Sequence, residues 1–68
     1  MIDLIINGNT RSFDVTDFTV ASLVSKIGLE GKRIAIERNG EIVPRAAYAE
    51  TPLHAGDKLE IVGAVGGG

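Results

Sequence analysis

The sequence predicts an α+β roll in which one helix covers one face of a mixed β-sheet. Apolar residues recur at helical spacing near the middle of the chain, whereas those on either side alternate as they do in strands. An Asn-Gly pair stands within each of the two alternating regions, and this dipeptide favours two-residue hairpin turns. The predicted order of elements is therefore β-β-α-β-β-β.

The N-terminal residues predict a β-hairpin. Apolar residues alternate with other residues on both sides of Asn7-Gly8, at Ile2, Leu4, Ile6, Phe13 and Val15. Asn and Gly both tolerate positive φ, which a tight hairpin turn requires. We expect two antiparallel strands joined at Asn7-Gly8.

The helix is predicted from its apolar stripe and its two ends. Thr19 is a suitable N-cap, and Gly28 followed by Leu29 is typical of a Schellman stop. The stripe between these ends, at spacing i, i+3, i+4 and i+7, is Val20, Leu23, Val24 and Ile27. We expect this face of the helix to pack against the sheet.

The C-terminal half predicts three further strands. Segments 33–37 and 41–43 are rich in β-forming residues and flank the turn at Asn39-Gly40, with Pro44 ending the second segment. One short helical turn is expected around residues 46–49 before the loop at Pro52. Residues 54–57 then turn the chain into a last strand over 58–62.

Composition excludes several functional classes. The chain has 68 residues, which is enough for one domain, and it has no cysteine for a disulfide, a thiolate zinc site or a nucleophilic thiol. A net charge of −2 and 4% aromatic residues disfavour nucleic acid as a partner. No apolar run is long enough to span a membrane and no leader is evident, so we expect a cytoplasmic protein without a membrane partner.

The side chains that could carry chemistry do not form a catalytic pattern. His54 is the single histidine and is expected to be a solvated loop residue, so we expect no metal site. Ser12, Ser22 and Ser25 lack the context of a nucleophile elbow. The glycines outside the C-terminal run stand at turns and caps rather than in a phosphate-binding loop. We therefore expect a protein that is not an enzyme and binds no cofactor.

The most informative feature is the glycine run Gly66, Gly67 and Gly68 directly behind the last predicted strand. We divide the chain into a folded domain over 1–62 and a flexible tail over 63–68. An extended tail could reach about 20 Å, and glycines can pass through a channel too narrow for other residues. Its terminal carboxylate is ionised at neutral pH and can attack a nucleotide phosphate to become an activated acyl group. A frayed terminus is the alternative interpretation.

Strand alternation also predicts an exposed apolar surface. Ile5, Ala35 and Val62 fall on the sheet face opposite the inward-facing residues and could form a partner-binding face. Isolated apolar residues on a surface are common, and scattered exposure is the alternative.

Three segments resemble one family. Residues 37–45 (ERNGEIVPR), 56–62 (GDKLEIV) and 65–68 (VGGG) are similar to the ThiS-like sulfur carriers of thiamine biosynthesis, and the resemblance covers the whole chain. It implies a ubiquitin-like β-grasp fold and a Gly68 carboxylate that an ATP-dependent adenylyltransferase adenylates. It further implies conversion to a thiocarboxylate with sulfur from a donor protein, and transfer of that sulfur to thiazole synthase. Gly67 would be the required neighbour, and Gly66 is a third glycine where many relatives have two.

Other functions remain open from the sequence. A molybdopterin-synthase small subunit or a ubiquitin-like modifier would share the fold and the diglycine end, and the acceptor would distinguish them. A non-covalent β-grasp interaction domain would not be activated at its terminus. A small independent enzyme is disfavoured because no nucleophile, base or metal cluster is evident.

Overall fold

A computed structural model of the chain describes residues 1–63. Its elements follow the predicted order, with a 3₁₀ helix over Arg45–Glu50 at the position of the predicted helical turn. The strands and the helix are β1 (Ile2–Ile6), β2 (Asn9–Phe13), α1 (Val20–Lys26), β3 (Ile34–Arg38), β4 (Glu41–Val43) and β5 (Lys58–Gly63). The last strand runs one residue further than the sequence predicts.

The five strands form one mixed sheet in the order β2-β1-β5-β3-β4. β1 and β5 lie side by side in parallel at its centre, whereas β1 with β2, β3 with β4 and β3 with β5 pair antiparallel. The strand that leads to the C-terminal glycines is therefore the central strand of the sheet, hydrogen-bonded on both sides.

Both predicted hairpin turns are confirmed. Asn7 and Gly8 have φ values of 50° and 84°, and Asn39 and Gly40 have values of 51° and 90°. Positive φ at both central residues defines the turn type that matches the twist of adjoining strands, which explains the Asn-Gly pairs. The registers closed by these turns are Ile6 opposite Asn9 and Arg38 opposite Glu41.

Both predicted ends of α1 are confirmed. At the start, Thr19 Oγ1 accepts a hydrogen bond of 3.1 Å from the Ser22 N–H. At the end, the Leu29 N–H donates to Val24 O and the Gly28 N–H donates to Ser25 O, at 2.9 and 3.2 Å. These two bonds are the Schellman pair, and Gly28 has the positive φ of 79° that the motif requires.

The core lies between α1 and one face of the sheet. The side chains with no exposed surface come from the helix and three strands: Leu4, Val20, Leu23, Ile36 and Leu59. Burial of each aliphatic side chain of this size contributes about 1.5–3 kcal/mol, before the cost of ordering the chain. The opposite face of the sheet has no covering element in residues 1–63. No helix in this part of the protein is long and apolar enough to cross a membrane.

Candidate functional site at the end of the last strand

The described chain ends where the predicted reactive tail begins. Gly68, Gly67 and Gly66 lie outside the described residues, and the last described residue is Gly63 at the end of β5. The site that the structure defines is therefore the exit point of the tail and the sheet surface next to it.

β5 extends beyond the strand that flanks it on one side. The β1 register ends with Ile6 opposite Leu59, whereas on the other side β3 follows β5 as far as Ile34 opposite Gly63. The last four residues of β5 therefore lack a backbone ladder partner from β1. On that side of β5, the side chain of Asn7 bonds the strand in place of a β1 backbone partner.

The Asn7 side chain continues the hydrogen bonding of β1 along β5. Its backbone N–H donates to Leu59 O at 2.9 Å, and its amide then bonds both backbone groups of Ile61. The Ile61 N–H donates to Asn7 Oδ1 at 2.8 Å, and Asn7 Nδ2 donates to Ile61 O at 3.0 Å. A side-chain amide offers one donor and one acceptor, as a backbone peptide does. Asn7 thus holds β5 two residues before Gly63, the last described residue.

A second polar network fixes the beginning of β5. Asp57 is buried and its carboxylate accepts from Arg38 Nε at 3.1 Å, Asn39 Nδ2 at 3.1 Å and the His54 N–H at 2.9 Å. Asn39 Oδ1 in turn accepts from the Lys58 N–H at 2.9 Å. The network joins the β3–β4 turn to the loop that enters β5.

The pKa of Asp57 lies below its usual value. Burial alone would raise this pKa, but the hydrogen bonds from His54, Asn39 and Arg38 and the positive charge of Arg38 together lower it. The carboxylate is therefore ionised throughout the neutral range and acts as a structural acceptor. His54 itself is exposed and contributes only its backbone N–H to the network.

The structure separates the three residues of the predicted partner-binding face. Ala35 and Val62 lie directly opposite each other on β3 and β5, and both are exposed. Ile5 is half-buried and lies opposite Lys58, four residues before Val62 and hence roughly 13 Å away along the strand. Only Ala35 and Val62 form a common surface next to the tail.

Ile42 is a further exposed apolar residue on this face. It lies on β4 opposite Glu37 of β3, and 65% of its surface is accessible. Its neighbour Val43 faces the core, so alternation within segment 41–43 already implied that Ile42 points outward. Asn7 had no such signal, because its role depends on β1 and β5 being neighbours.

No group of three or more His, Asp or Glu side chains within residues 1–63 is placed to hold a metal ion. Within residues 1–63 the geometry provides a strand end that is held on both sides and a sheet face that no other element covers.

Comparison with known proteins shows the family to which the chain belongs. The model of the ThiS family matches residues 4–68. The chain is 37% identical over 63 residues to the sulfur carrier protein ThiS of Bacillus subtilis, covering 93% of this chain and 96% of that protein.

Two further similarities extend the comparison. The chain is 46% identical over 65 residues to a thiazole synthase of Paramagnetospirillum magneticum, but spans only 20% of that protein's length. The crystal structure of the thiamine biosynthesis protein ThiS from Geobacter metallireducens superimposes with a TM-score of 0.85 at 29% identity, covering 98% of this chain and 100% of that one. The expected ubiquitin-like β-grasp fold is confirmed, and the chain belongs to the ThiS family.

Proposed function

We propose that this protein is a sulfur carrier of thiamine biosynthesis that holds sulfur as a thiocarboxylate on Gly68. The observation that supports this most strongly is the nearly full-length similarity to the Bacillus subtilis protein named sulfur carrier protein ThiS. The glycine run that follows the central strand supplies the group on which such chemistry depends.

The chemistry requires activation before sulfur transfer. A carboxylate is a poor acylating agent because oxide would have to leave. Attack of the Gly68 carboxylate on the α-phosphorus of ATP releases pyrophosphate and gives an acyl-adenylate. Sulfur at the sulfide level (HS⁻) supplied by a donor protein then attacks the acyl carbon, the bond to AMP breaks, and loss of the sulfur-bound proton leaves the thiocarboxylate.

This chain contributes the acid and a rigid base for the tail, and is not itself an enzyme. The nucleotide, its metal ion and the cations that stabilise the phosphates belong to an ATP-dependent adenylyltransferase, so the carrier needs no cofactor. These steps use ATP and reduced sulfur, and we place the protein in the cytoplasm.

Thiazole synthase is the proposed sulfur acceptor. Support comes from the Paramagnetospirillum magneticum protein of that name, which contains a segment similar to almost the whole of this chain. Two functions joined in one chain commonly act on each other, and a separate carrier would meet the same enzyme by docking.

The uncovered sheet face is proposed to contact the adenylyltransferase next to the tail. A glycine tail offers little apolar surface and its ordering costs about 1–2 kcal/mol per residue, so binding requires a folded platform as well. Ala35 and Val62 lie nearest the exit, and Ile5 would contribute at the far end of the same face.

Removal of Gly67 and Gly68 tests the proposal. We expect the shortened protein to release no pyrophosphate from ATP with the cognate adenylyltransferase, because the new terminus stops short of the nucleotide. Its circular dichroism spectrum and melting temperature should match those of the full chain, since β5 and the core end before the deletion. Pyrophosphate release at the normal rate by the shortened protein would refute a role for the terminal carboxylate.

A further inference from the structure

Two carboxylates face each other on the uncovered side of the sheet. Glu37 of β3 lies directly opposite Glu60 of β5. Directly opposed residues share one face, and their Cβ atoms are about 4.5–5.5 Å apart. The ion pair found within residues 1–63 joins Arg38 to Asp57, and neither Glu37 nor Glu60 has a cationic nitrogen within 4.0 Å in that part of the chain.

No hydrogen bond or ion pair within residues 1–63 offsets the repulsion between Glu37 and Glu60. Like charges directly opposite each other destabilise a sheet, and these two do so on the face that packs against nothing in residues 1–63. Neither side chain makes a hydrogen bond to another described residue, in contrast to Asp57 with its three donors. The pair therefore does not serve folding in the way that Asp57 does.

Exposed apolar side chains flank the two carboxylates on two sides, and Lys58 is the outward-facing residue that precedes Glu60 on β5. Val62 and Ala35 form the next outward-facing pair towards the end of β5, and Ile42 lies opposite Glu37 on the other side. Val62 is 59% exposed and Ile42 is 65% exposed. Exposed apolar patches that are bordered by polar residues often mark protein-binding surfaces. We call the two carboxylates and these three apolar residues the acidic patch.

The acidic patch lies close to the reactive end of the chain. Glu60 and Val62 stand on the strand that leads directly to the tail, and Gly68 is the eighth residue after Glu60. Even when fully extended, that segment spans no more than about 29 Å. A protein that holds Gly68 in its active site therefore has that site within about 29 Å of Glu60, so its surface can reach the patch.

On the basis of the proposed function, we propose that the acidic patch binds a basic side chain of the adenylyltransferase between Glu37 and Glu60. An enzyme that binds ATP must surround the triphosphate with cations, which makes a basic surface around its active-site entrance favourable for an acidic carrier. A guanidinium can hydrogen-bond two carboxylates at once, and its charge would remove the repulsion between them. Ala35, Ile42 and Val62 would exclude water from this contact.

Neutral variants of the pair test the inference against matched controls. We compare Glu37→Gln/Glu60→Gln with Glu30→Gln/Glu50→Gln, which makes the same change in net charge at exposed carboxylates outside the sheet. Binding to the adenylyltransferase is measured by titration at low and at high salt, beside the melting temperature of each variant. We expect the patch variant to bind roughly tenfold more weakly or worse at low salt, as the loss of a charged hydrogen bond implies. Its melting temperature should be equal to or higher than that of the wild type.

The salt dependence of binding and the affinity of a variant that keeps the charge distinguish a contact at the acidic patch from a general effect of net charge. Because the salt dependence of binding arises from the pair, it should be smaller in the patch variant than in the control. Glu60→Asp, which keeps the charge, should retain most of the affinity, whereas Val62→Asp should lower it by adding charge to an apolar contact. Equal affinities of the patch variant and the control variant would overturn the inference, as would a patch variant weakened equally at both salt concentrations.

The two proposals fail in different ways. If the wild type drives no pyrophosphate release with the adenylyltransferase, the sulfur-carrier function fails and the acidic patch fails with it. If the wild type is activated normally and the acidic patch variant is too, with unchanged affinity, only the patch is refuted. Weakened binding to thiazole synthase alone would assign the patch to that enzyme and would also refute the inference.

Discussion

A single side chain sets the position of the tail exit. Asn7 serves the hairpin turn with its positive φ and serves β5 with its amide, which bonds both backbone groups of Ile61. Asparagine suits both roles because it tolerates the left-handed region and carries a donor and an acceptor on a short side chain. Glycine would satisfy the turn but would leave Ile61 without these bonds.

Substitution of Asn7 should loosen the end of β5. Asn7→Asp keeps the acceptor for the Ile61 N–H but loses the donor to Ile61 O, and we expect it to lower the free energy of unfolding by about 1–3 kcal/mol. Asn7→Ala loses both bonds and adds strain at positive φ, so it should be more destabilising. Chemical denaturation measures these differences, with Asn9→Asp on the exposed strand β2 as the control.

Amide hydrogen exchange locates the effect. In Asn7→Ala the Ile61 N–H should exchange faster relative to global unfolding, while the Lys58 N–H, which donates to Asn39 Oδ1, keeps its protection. Unchanged protection of Ile61 would contradict the role assigned to the side chain.

At the scale of elements, the loop into β5 and the β3–β4 turn are held together through Asp57. Its carboxylate accepts from both Arg38 and Asn39 of the turn region and from the loop at His54. These contacts align β5 with β3 from its first residue. The network therefore helps to fix the register that places Glu60 opposite Glu37 and Val62 opposite Ala35.

The lowered pKa of Asp57 predicts a stability difference that depends on pH. The native state favours the ionised form, so its contribution is fully present above the unfolded-state pKa of about 3.9 and is lost as pH falls through the lower native pKa. At pH 7 we expect Asp57→Asn to unfold with a free energy about 1–3 kcal/mol below that of the wild type. The difference in free energy of unfolding should narrow as pH falls below about 4, because the unfolded chain binds a proton at Asp57 there, whereas the native protein binds one only at lower pH. A difference in free energy of unfolding that stays constant between pH 7 and pH 2 would contradict a stabilising role for the ionised Asp57 carboxylate.

Sequence patterns predicted the elements well because their determinants are local. Asn-Gly pairs, the Thr19 cap and the Gly28-Leu29 stop each act within a few residues, and all were confirmed. Strand neighbours depend on contacts between distant segments, so the parallel pairing of β1 with β5 was not predicted. The separation of Ile5 from Val62 follows from the pairing of β1 with β5. The opposition of Glu37 to Glu60 follows from the pairing of β3 with β5, which is also long-range.

At the scale of the whole molecule, the elements within residues 1–63 leave one sheet face and the end of β5 uncovered. The helix and the core occupy the other face, and β5 lies at the centre of the sheet between β1 and β3. The end of β5 is held by the β3 ladder on one side and by the Asn7 side chain on the other, which gives the tail a firm origin. The acidic patch spans β3, β4 and β5, and its two β5 residues lie next to the end of that strand, where one partner could contact both the patch and the tail.

The mass of the C-terminal peptide tests the central claim most directly. The protein is incubated with its adenylyltransferase, ATP and the sulfur donor, then digested and analysed by mass spectrometry, with the variant lacking Gly67 and Gly68 as the control. We expect the peptide ending in Gly68 to become heavier by the difference between one sulfur and one oxygen atom, and we expect no change in the control. An unchanged C-terminal peptide, or the same increase elsewhere in the chain, would contradict a sulfur carrier that works through its terminal glycine.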